Sequence, residues 1–157
     1  DLFNFVDTTP VQKEPVHVYP LIIKTLMLFY NNMEKQGVKY QTVVPEQLTC
    51  NLDSAQIRKV LVHLVRNAVE AMENGGTLNI EVTSDEEYIR ITIRDSGMGI
   101  AAHELQRVSD PFYTTKVAGT GVGLALVERI VEDHHGKFSI RCRDSGGTEV
   151  VVSLPNH

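Results

Sequence analysis

Apolar and polar residues alternate most regularly in the stretch that ends at Asp95. Strand side chains repeat every two residues, so Ile89, Ile91 and Ile93 should share one face of a strand. Asp95 has the same parity, and the chain therefore directs a carboxylate toward its own apolar interior. A buried charge without a partner costs about several kcal/mol, so some group must donate hydrogen bonds to it.

The residues that follow this strand, Asp95 to Ile100, read Asp-Ser-Gly-Met-Gly-Ile. Gly97 and Gly99 would allow the backbone to approach a ligand closely. Two interpretations stay open from this stretch alone. It is a simple Asp-Ser-Gly turn, which Asp favours, or it is a turn that binds a ligand.

Apolar residues recur at helical spacing in three other stretches, and each predicts a helix. Asp53, followed three residues later by Gln56, resembles a capping box at the start of the second helix. Gly37 should end the first helix and Gly136 should cap the third, where His134 and His135 would be favourable as cations. The predicted helices are Val18–Lys35, residues 53–73 and Leu124–His134.

Short apolar runs outside these helices predict six strands, four of which form two hairpins. Thr148 shares parity with Val150 and Val152, so its hydroxyl should face inward. Together the elements predict an α+β fold, a two-layer sandwich with a mixed sheet of about five strands and three main helices on one face. The predicted strands are Val38–Val44, Leu48–Leu52, Thr77–Thr83, Tyr88–Arg94, Lys137–Arg143 and Thr148–Leu154.

Composition narrows the function classes. The 157 residues are 42% hydrophobic, which suits one domain with a real core. The net charge of -5 and the absence of a basic run exclude nucleic acid as an expected partner. No segment approaches the roughly 20 apolar residues of a membrane span, so no membrane contact is expected. The two distant cysteines indicate a reducing, cytoplasmic setting, and a first residue other than Met indicates a fragment.

A polar stripe lies beside the apolar face of the second helix. His63, Asn67 and Glu70 stand at positions i, i+4 and i+7. The amide oxygen of Asn67 is the kind of hard ligand that Mg²⁺ accepts alongside waters and phosphates. The alternative is that Asn67 satisfies a neighbouring backbone group.

A glycine-rich run, Gly119–Gly123, opens the third helix. Such a helix start presents free N–H groups and the positive end of the dipole to an anion. The run is neither a Walker loop nor a dinucleotide fingerprint, which would need Gly in place of Leu124. Lys116 with Thr114 and Thr115 just before it would add a cation and two hydroxyls; a flexible hinge is the alternative.

Five motifs in this order resemble the catalytic and ATP-binding domain of bacterial sensor histidine kinases. The match runs from Val18 to Pro155, and Pro-Phe-Tyr-Thr-Thr-Lys is most similar to the nitrogen-regulation type. In family terms the motifs resemble the N box around Asn67, the first glycine box Asp95–Gly99, the F box Asp110–Lys116, the second glycine box Gly119–Leu124 and the last one, Gly146–Thr148.

The resemblance implies the Bergerat ATP-binding fold, with ATP and Mg²⁺ as cofactors. Asp95 would hold the adenine amine, with Thr148 supporting through water, and Asn67 would bind the metal. Residues 113–121 would form a lid over the phosphates, and His63 and Lys116 would be the catalytic candidates. The implied ATP-binding residues are Asn67, Glu70, Ala71, Asp95, Gly97, Met98, Gly99, Ile100, Tyr113, Thr114, Thr115, Lys116, Gly119, Thr120, Gly121, Val122, Gly123, Leu124 and Thr148.

The resemblance also implies partners. Residues 1–15 would be the end of a preceding dimerisation and phosphoacceptor helix with its linker, and residues 16–157 the catalytic domain. The γ-phosphoryl group would pass to a histidine upstream of Asp1 and then to a response-regulator receiver domain, and the full-length protein would be a homodimer. His103 lies in a phosphoacceptor-like sequence but in the wrong place, so an exposed helical turn is expected there.

Two departures from the family pattern leave an alternative function open. Many sensor kinases carry Lys where this chain has Glu70, and Asn where it has His63. The alternative is a self-contained ATPase of the gyrase or MutL kind, which shares the fold. Those ATPases place a general-base Glu at the position of His63, so this residue discriminates between the two functions.

Overall fold

The computed structural model describes residues 10–97 and 121–156, with the backbone alone at 121–123. Within these ranges the chain forms four helices and seven strands. The helices are α1 (Val18–Leu28), α2 (Tyr30–Gln36), α3 (Ser54–Glu70) and α4 (Gly121–Asp133). The strands are β1 (Glu14–His17), β2 (Val38–Val43), β3 (Thr49–Leu52), β4 (Gly76–Ser84), β5 (Tyr88–Asp95), β6 (Lys137–Cys142) and β7 (Thr148–Pro155).

The main sheet has five strands in the order β2-β4-β5-β7-β6. β2 and β4 run parallel, whereas the other neighbours are antiparallel, so the sheet is mixed as predicted. The register of β5 with β7 sets Asp95 opposite Thr148. A separate antiparallel pair joins β1 to β3. β1 begins at Glu14, two residues before the predicted start of the catalytic domain at residue 16.

The helices cover one face of the sheet, and the core lies between the two layers. Ile89, Ile91 and Ile93 are buried there against the apolar sides of the helices, as their alternation predicts. The opposite face is polar: Glu149 accepts hydrogen bonds from Arg94 and Arg141, each at 2.7 Å. The predicted α+β sandwich is therefore confirmed. No described helix has the length and hydropathy needed to cross a bilayer.

The predicted first helix, Val18–Lys35, is in fact two helices. The break is at Phe29, which leaves helical geometry with φ -111° and ψ 7°. Its N–H donates to Leu26 at 3.0 Å, and its carbonyl accepts from Met33 at 2.9 Å, so one helix ends as the next begins. Leu26 and Met33 are both buried, so the apolar repeat continues across the break and conceals it in the sequence.

The end of α4 also differs from the prediction. Gly37 ends α2 with φ 78°, as expected, but after α4 the left-handed residue is His135, with φ 59°, and not Gly136. The N–H of His135 donates to Glu132 and that of Gly136 to Val131, the pair of bonds that defines a Schellman motif. Gly136 is needed for another reason, because a Cβ there would collide with the carbonyl oxygen of Ser153.

Candidate functional site

The Asp95 carboxylate is the centre of the candidate site. The side chain is only 5% exposed at the end of β5, which confirms the orientation predicted from its parity. Its Oδ1 accepts a hydrogen bond from the N–H of Gly97 at 2.9 Å. Burial raises the pKa of Asp95, and the backbone N–H groups of Gly97 and Thr148 and the charge of Arg143 partly offset that effect. A carboxylate offers about four acceptor positions, so capacity remains for a further donor.

The last glycine pair brings the chain against the backbone of Asp95. Gly147 has φ 92°, which favours glycine, and a Cβ there would collide with the carbonyl oxygen of Asp95. The next residue, Thr148, is 5% exposed and lies directly opposite Asp95 in the β5–β7 register. The guanidinium of Arg143 donates to the Asp95 carbonyl at 2.8 Å. Arg143 and Gly147 were not among the predicted site residues; only the glycine pair before Thr148 gave a signal in the sequence.

The turn after Asp95 packs on the end of α3. A Cβ at Gly97 would lie 2.5 Å from the carbonyl oxygen of Ala71, so only glycine allows this close approach. Ser96 also fixes the turn, because its Oγ accepts from the N–H of Thr77 at 2.8 Å and its own N–H donates to the Thr77 carbonyl at 3.2 Å. The structure thus brings Asp95, Gly97 and Ala71 together.

The polar stripe of α3 leads toward the same end of the helix. His63 and Asn67 are half-buried and Glu70 is exposed. Within the described residues, the Asn67 side chain makes no hydrogen bond, so the alternative that it satisfies a backbone group finds no partner there. Burial lowers the pKa of His63, as does the nearby charge of Arg66. His63 is therefore neutral at pH 7.

The chemistry of the donor set fits Mg²⁺ held mainly by a nucleotide. Among the described residues there is no cluster of three or more His, Cys, Asp or Glu side chains arranged for a metal. Mg²⁺ usually keeps several waters and takes one or two protein oxygens together with substrate phosphates. The amide of Asn67, which no other described residue hydrogen-bonds, can supply one such oxygen.

Part of the predicted site lies outside the described residues. This holds for residues 113–120 of the predicted lid, for the His103 turn and for nine predicted ATP contacts: Met98, Gly99, Ile100, Tyr113, Thr114, Thr115, Lys116, Gly119 and Thr120. Gly121, Val122 and Gly123 form the first turn of α4, so the helix begins three residues earlier than predicted. Leu124 follows them with its side chain in the core, 1% exposed.

Sequence comparison supports the resemblance. A profile of the family described as histidine kinase-, DNA gyrase B-, and HSP90-like ATPase matches residues 52–157. Sporulation kinase A of Bacillus subtilis is 34% identical over 144 residues, which cover 91% of this chain and 24% of that protein. Sporulation kinase B of the same organism is 32% identical over 158 residues, or 97% and 36% of the two chains. The chain thus spans roughly a quarter to a third of these curated relatives.

Solved structures give the same result. The catalytic domain of the histidine kinase ThkA superimposes with a TM-score of 0.85 at 28% identity, covering 92% of this chain and 98% of that one. ThkA in complex with the response regulator protein TrrA gives a TM-score of 0.82 at 26% identity, with coverage of 94% and 42%. The chain therefore belongs to the histidine kinase-, DNA gyrase B- and HSP90-like ATPase family, as a catalytic ATP-binding domain of the sensor histidine kinase type.

Proposed function

We propose that this chain is the ATP-binding kinase domain of a two-component sensor histidine kinase. It transfers the γ-phosphoryl group of ATP to a histidine on a separate dimerisation domain of its parent protein. The observation that carries the proposal is the buried Asp95 carboxylate, anchored by the Gly97 N–H and left with acceptor capacity. The exocyclic amine of adenine is a donor of the kind that this carboxylate lacks.

Each residue of the site then has a defined task. Asp95 accepts from the adenine amine, and Thr148 holds a water beside it. Asn67 supplies an amide oxygen to Mg²⁺, which neutralises phosphate charge when it is bound. Lys116 supplies a further positive charge to the phosphates. Gly97 and Gly147 let the backbone beside Asp95 pack closely, Gly97 against Ala71 and Gly147 against the Asp95 carbonyl.

His63 supports the kinase over the self-contained ATPase. Related ATPases use a carboxylate at this position to activate water, whereas this chain has a neutral, half-buried imidazole whose pKa is lowered by burial. Positioning of an in-line acceptor is what phosphoryl transfer requires. Without its acceptor histidine, the domain should therefore bind ATP but consume it slowly.

The partners follow from the same proposal. The acceptor is the parent's own dimerisation domain, and the phosphoryl group then passes to a receiver domain. ThkA, a structural relative, has been solved with a response regulator protein, which supports that route. The homodimeric state of the full-length protein, its cytoplasmic location and the nitrogen-regulation subtype stay predictions.

A phosphotransfer assay tests the proposal. The chain is incubated with ATP and Mg²⁺, alone and with the separately produced dimerisation domain of its parent. We expect slow hydrolysis and no stable self-phosphorylation by the chain alone, and an acid-labile, base-stable phosphoryl group on the added domain. Rapid ATP turnover by the chain alone that disappears in His63→Ala would contradict the kinase and favour the ATPase.

A further inference from the structure

A buried histidine outside the nucleotide site joins two helices. His134, just after α4, has 0% exposure. Its Nδ1 lies 3.0 Å from the carbonyl oxygen of Ile130, and its Nε2 lies 3.3 Å from the backbone nitrogen of Asp53. A carbonyl can only accept and an N–H can only donate, so the proton is on Nδ1 and Nε2 is the acceptor. This neutral state differs from the cation predicted for the end of α4.

The side chain of Asp53 accepts two further hydrogen bonds. Its Oδ1 accepts from the N–H of Gln56 at 3.3 Å, which caps α3. Its Oδ2 accepts from the N–H of Gln12 at 2.9 Å, in the segment that enters the domain. The start of α3, the end of α4 and the entering segment therefore meet at one residue, and we call Gln12, Asp53 and His134 the Asp53 joint.

The entering segment is held to the start of α3 by more than this joint. β1 pairs with β3, the strand that leads directly into Asp53. The hydroxyl of Ser54, at the start of α3, donates a hydrogen bond to Oε1 of Glu14 in β1 at 3.0 Å. Since backbone pairing and side-chain bonds act together, a displacement of residues 12–17 moves the start of α3 with it.

The same two helices reach the candidate nucleotide site at their other ends. α3 and α4 pack against each other. Because α3 begins and α4 ends at the joint, the pair is antiparallel. Asn67 lies 13 residues after Ser54, and Gly121 lies 12 residues before Asp133, so a rise of 1.5 Å per residue puts both about 20 Å from the joint. The joint holds one end of a helix pair whose other end frames the site.

We propose that the Asp53 joint sets the relative position of α3 and α4 and thereby transmits displacements of the entering segment to nucleotide binding, with His134 as a positioning residue. This inference rests on the proposed function for the identity of the ligand. Loss of the Nε2 acceptor leaves the Asp53 N–H unpaired and separates the end of α4 from the start of α3. The phosphate end of the site then loses its alignment, although every residue of that site is intact.

Two substitutions of similar size test the role of His134. His134→Leu removes the acceptor, whereas His134→Gln keeps an acceptor oxygen that reaches toward the Asp53 N–H. Each folded variant is titrated with a non-hydrolysable ATP analogue and with adenosine. We expect His134→Leu to weaken the ATP analogue about tenfold, the effect of losing roughly 1.4 kcal/mol, and adenosine much less. His134→Gln should recover most of the affinity, and the exposed His135→Gln should match the wild type.

Gln12→Pro tests the third arm of the joint, because it removes the N–H that Asp53 accepts and leaves the nucleotide site untouched. Val11→Pro is the matched control, since no described hydrogen bond uses the Val11 N–H. We expect Gln12→Pro to weaken the ATP analogue and Val11→Pro to bind it like the wild type.

Hydrogen exchange gives a readout that needs no nucleotide. In His134→Leu, exchange should speed up at residues 67–71 and at 121–124, about 20 Å from the substitution. If the wild type binds no nucleotide, the proposed function fails. The exchange result still shows whether the Asp53 joint positions the distant ends of α3 and α4. The inference would be overturned if His134→Leu lost stability but bound the ATP analogue like the wild type and showed unchanged exchange at both distant segments.

Discussion

Two buried aspartates lie at opposite ends of the α3–α4 pair, and their hydrogen bonds differ. Asp53 is 9% exposed, and its two oxygens accept from the backbone of Gln12 and Gln56, both within the protein. Asp95 is 5% exposed, yet burial still raises its pKa despite two backbone donors. Burial alone therefore does not distinguish a structural carboxylate from a ligand-binding one. What differs is where the donors lie: each oxygen of Asp53 accepts a backbone hydrogen bond, whereas among the described residues the hydrogen bond to the Asp95 carboxylate is made to Oδ1, by Gly97, and Oδ2 keeps capacity for a ligand.

The largest effect should come from Asp95→Asn. The substitution keeps the shape of the side chain but can present an amide N–H₂ to the adenine amine, so one strong hydrogen bond is lost. We expect the affinity for an ATP analogue to fall about a hundredfold or more, measured by calorimetric titration. Asp85→Asn, in an exposed turn, is the control and should leave affinity unchanged. Equal affinities for Asp95→Asn and the wild type would show that Asp95 does not contact the base.

Asn67→Ala should have the next largest effect. If the Asn67 amide is a ligand of Mg²⁺, its loss should weaken ATP about tenfold, as expected for one strong polar interaction, and should barely affect adenosine. The difference should disappear when magnesium is omitted. An equal loss for ATP and adenosine would instead mean that Asn67 only supports α3.

Asp53→Ala should lower stability and, because it removes the acceptor of the Gln12 N–H, should also weaken the ATP analogue as Gln12→Pro does. The substitution removes the N-cap of α3, which typically lowers the free energy of unfolding by about 1 kcal/mol. Asp53→Asn caps a helix about equally well and should lose much less. Urea denaturation followed by circular dichroism measures both. If Asp53→Ala weakened adenosine binding more than Asp95→Asn does, the roles assigned to the two aspartates would be reversed.

The smallest effect should be a dependence of stability on pH. Burial lowers the pKa of His134; the Ile130 carbonyl, Asp53 and Asp133 oppose that shift, and Lys13 adds to it. The unfolded chain therefore binds a proton first as pH falls below about 6.5, so the stability contributed by His134 declines from there toward its lowered folded pKa. The difference in unfolding free energy between wild type and His134→Gln should shrink between pH 7.5 and 5.5. A constant difference would contradict this.

What the sequence predicts depends on how local the responsible interaction is. The inward direction of Asp95 follows from a period of two over seven residues, and the Asp53 cap from a pattern over four. The break at Phe29 is invisible because the apolar repeat runs through it. The neutral tautomer of His134 depends on a contact with Asp53, 81 residues earlier in the chain, and no local pattern encodes it.

The left-handed residue after α4 could be predicted only in part, because both a local preference and a distant contact determine it. Gly136 was the natural choice for that conformation, because glycine adopts it at no steric cost. The chain instead uses His135, since Gly136 is required where β7 passes too close for any side chain. Two adjacent positions each favour glycine, one for its left-handed backbone and one for its close contact with β7. Only the structure shows that the glycine occupies the second position.

The glycines beside Asp95 bear on the design of inhibitors. Gly97 lies against Ala71, and Gly147 lies against Asp95 itself, so neither position accepts a side chain without a shift of the backbone. A compound whose donor binds the Asp95 carboxylate would contact a surface whose shape substitutions of Gly97 and Gly147 cannot easily change. Resistance to such a compound would have to arise from residues farther from the base, where added side chains have room.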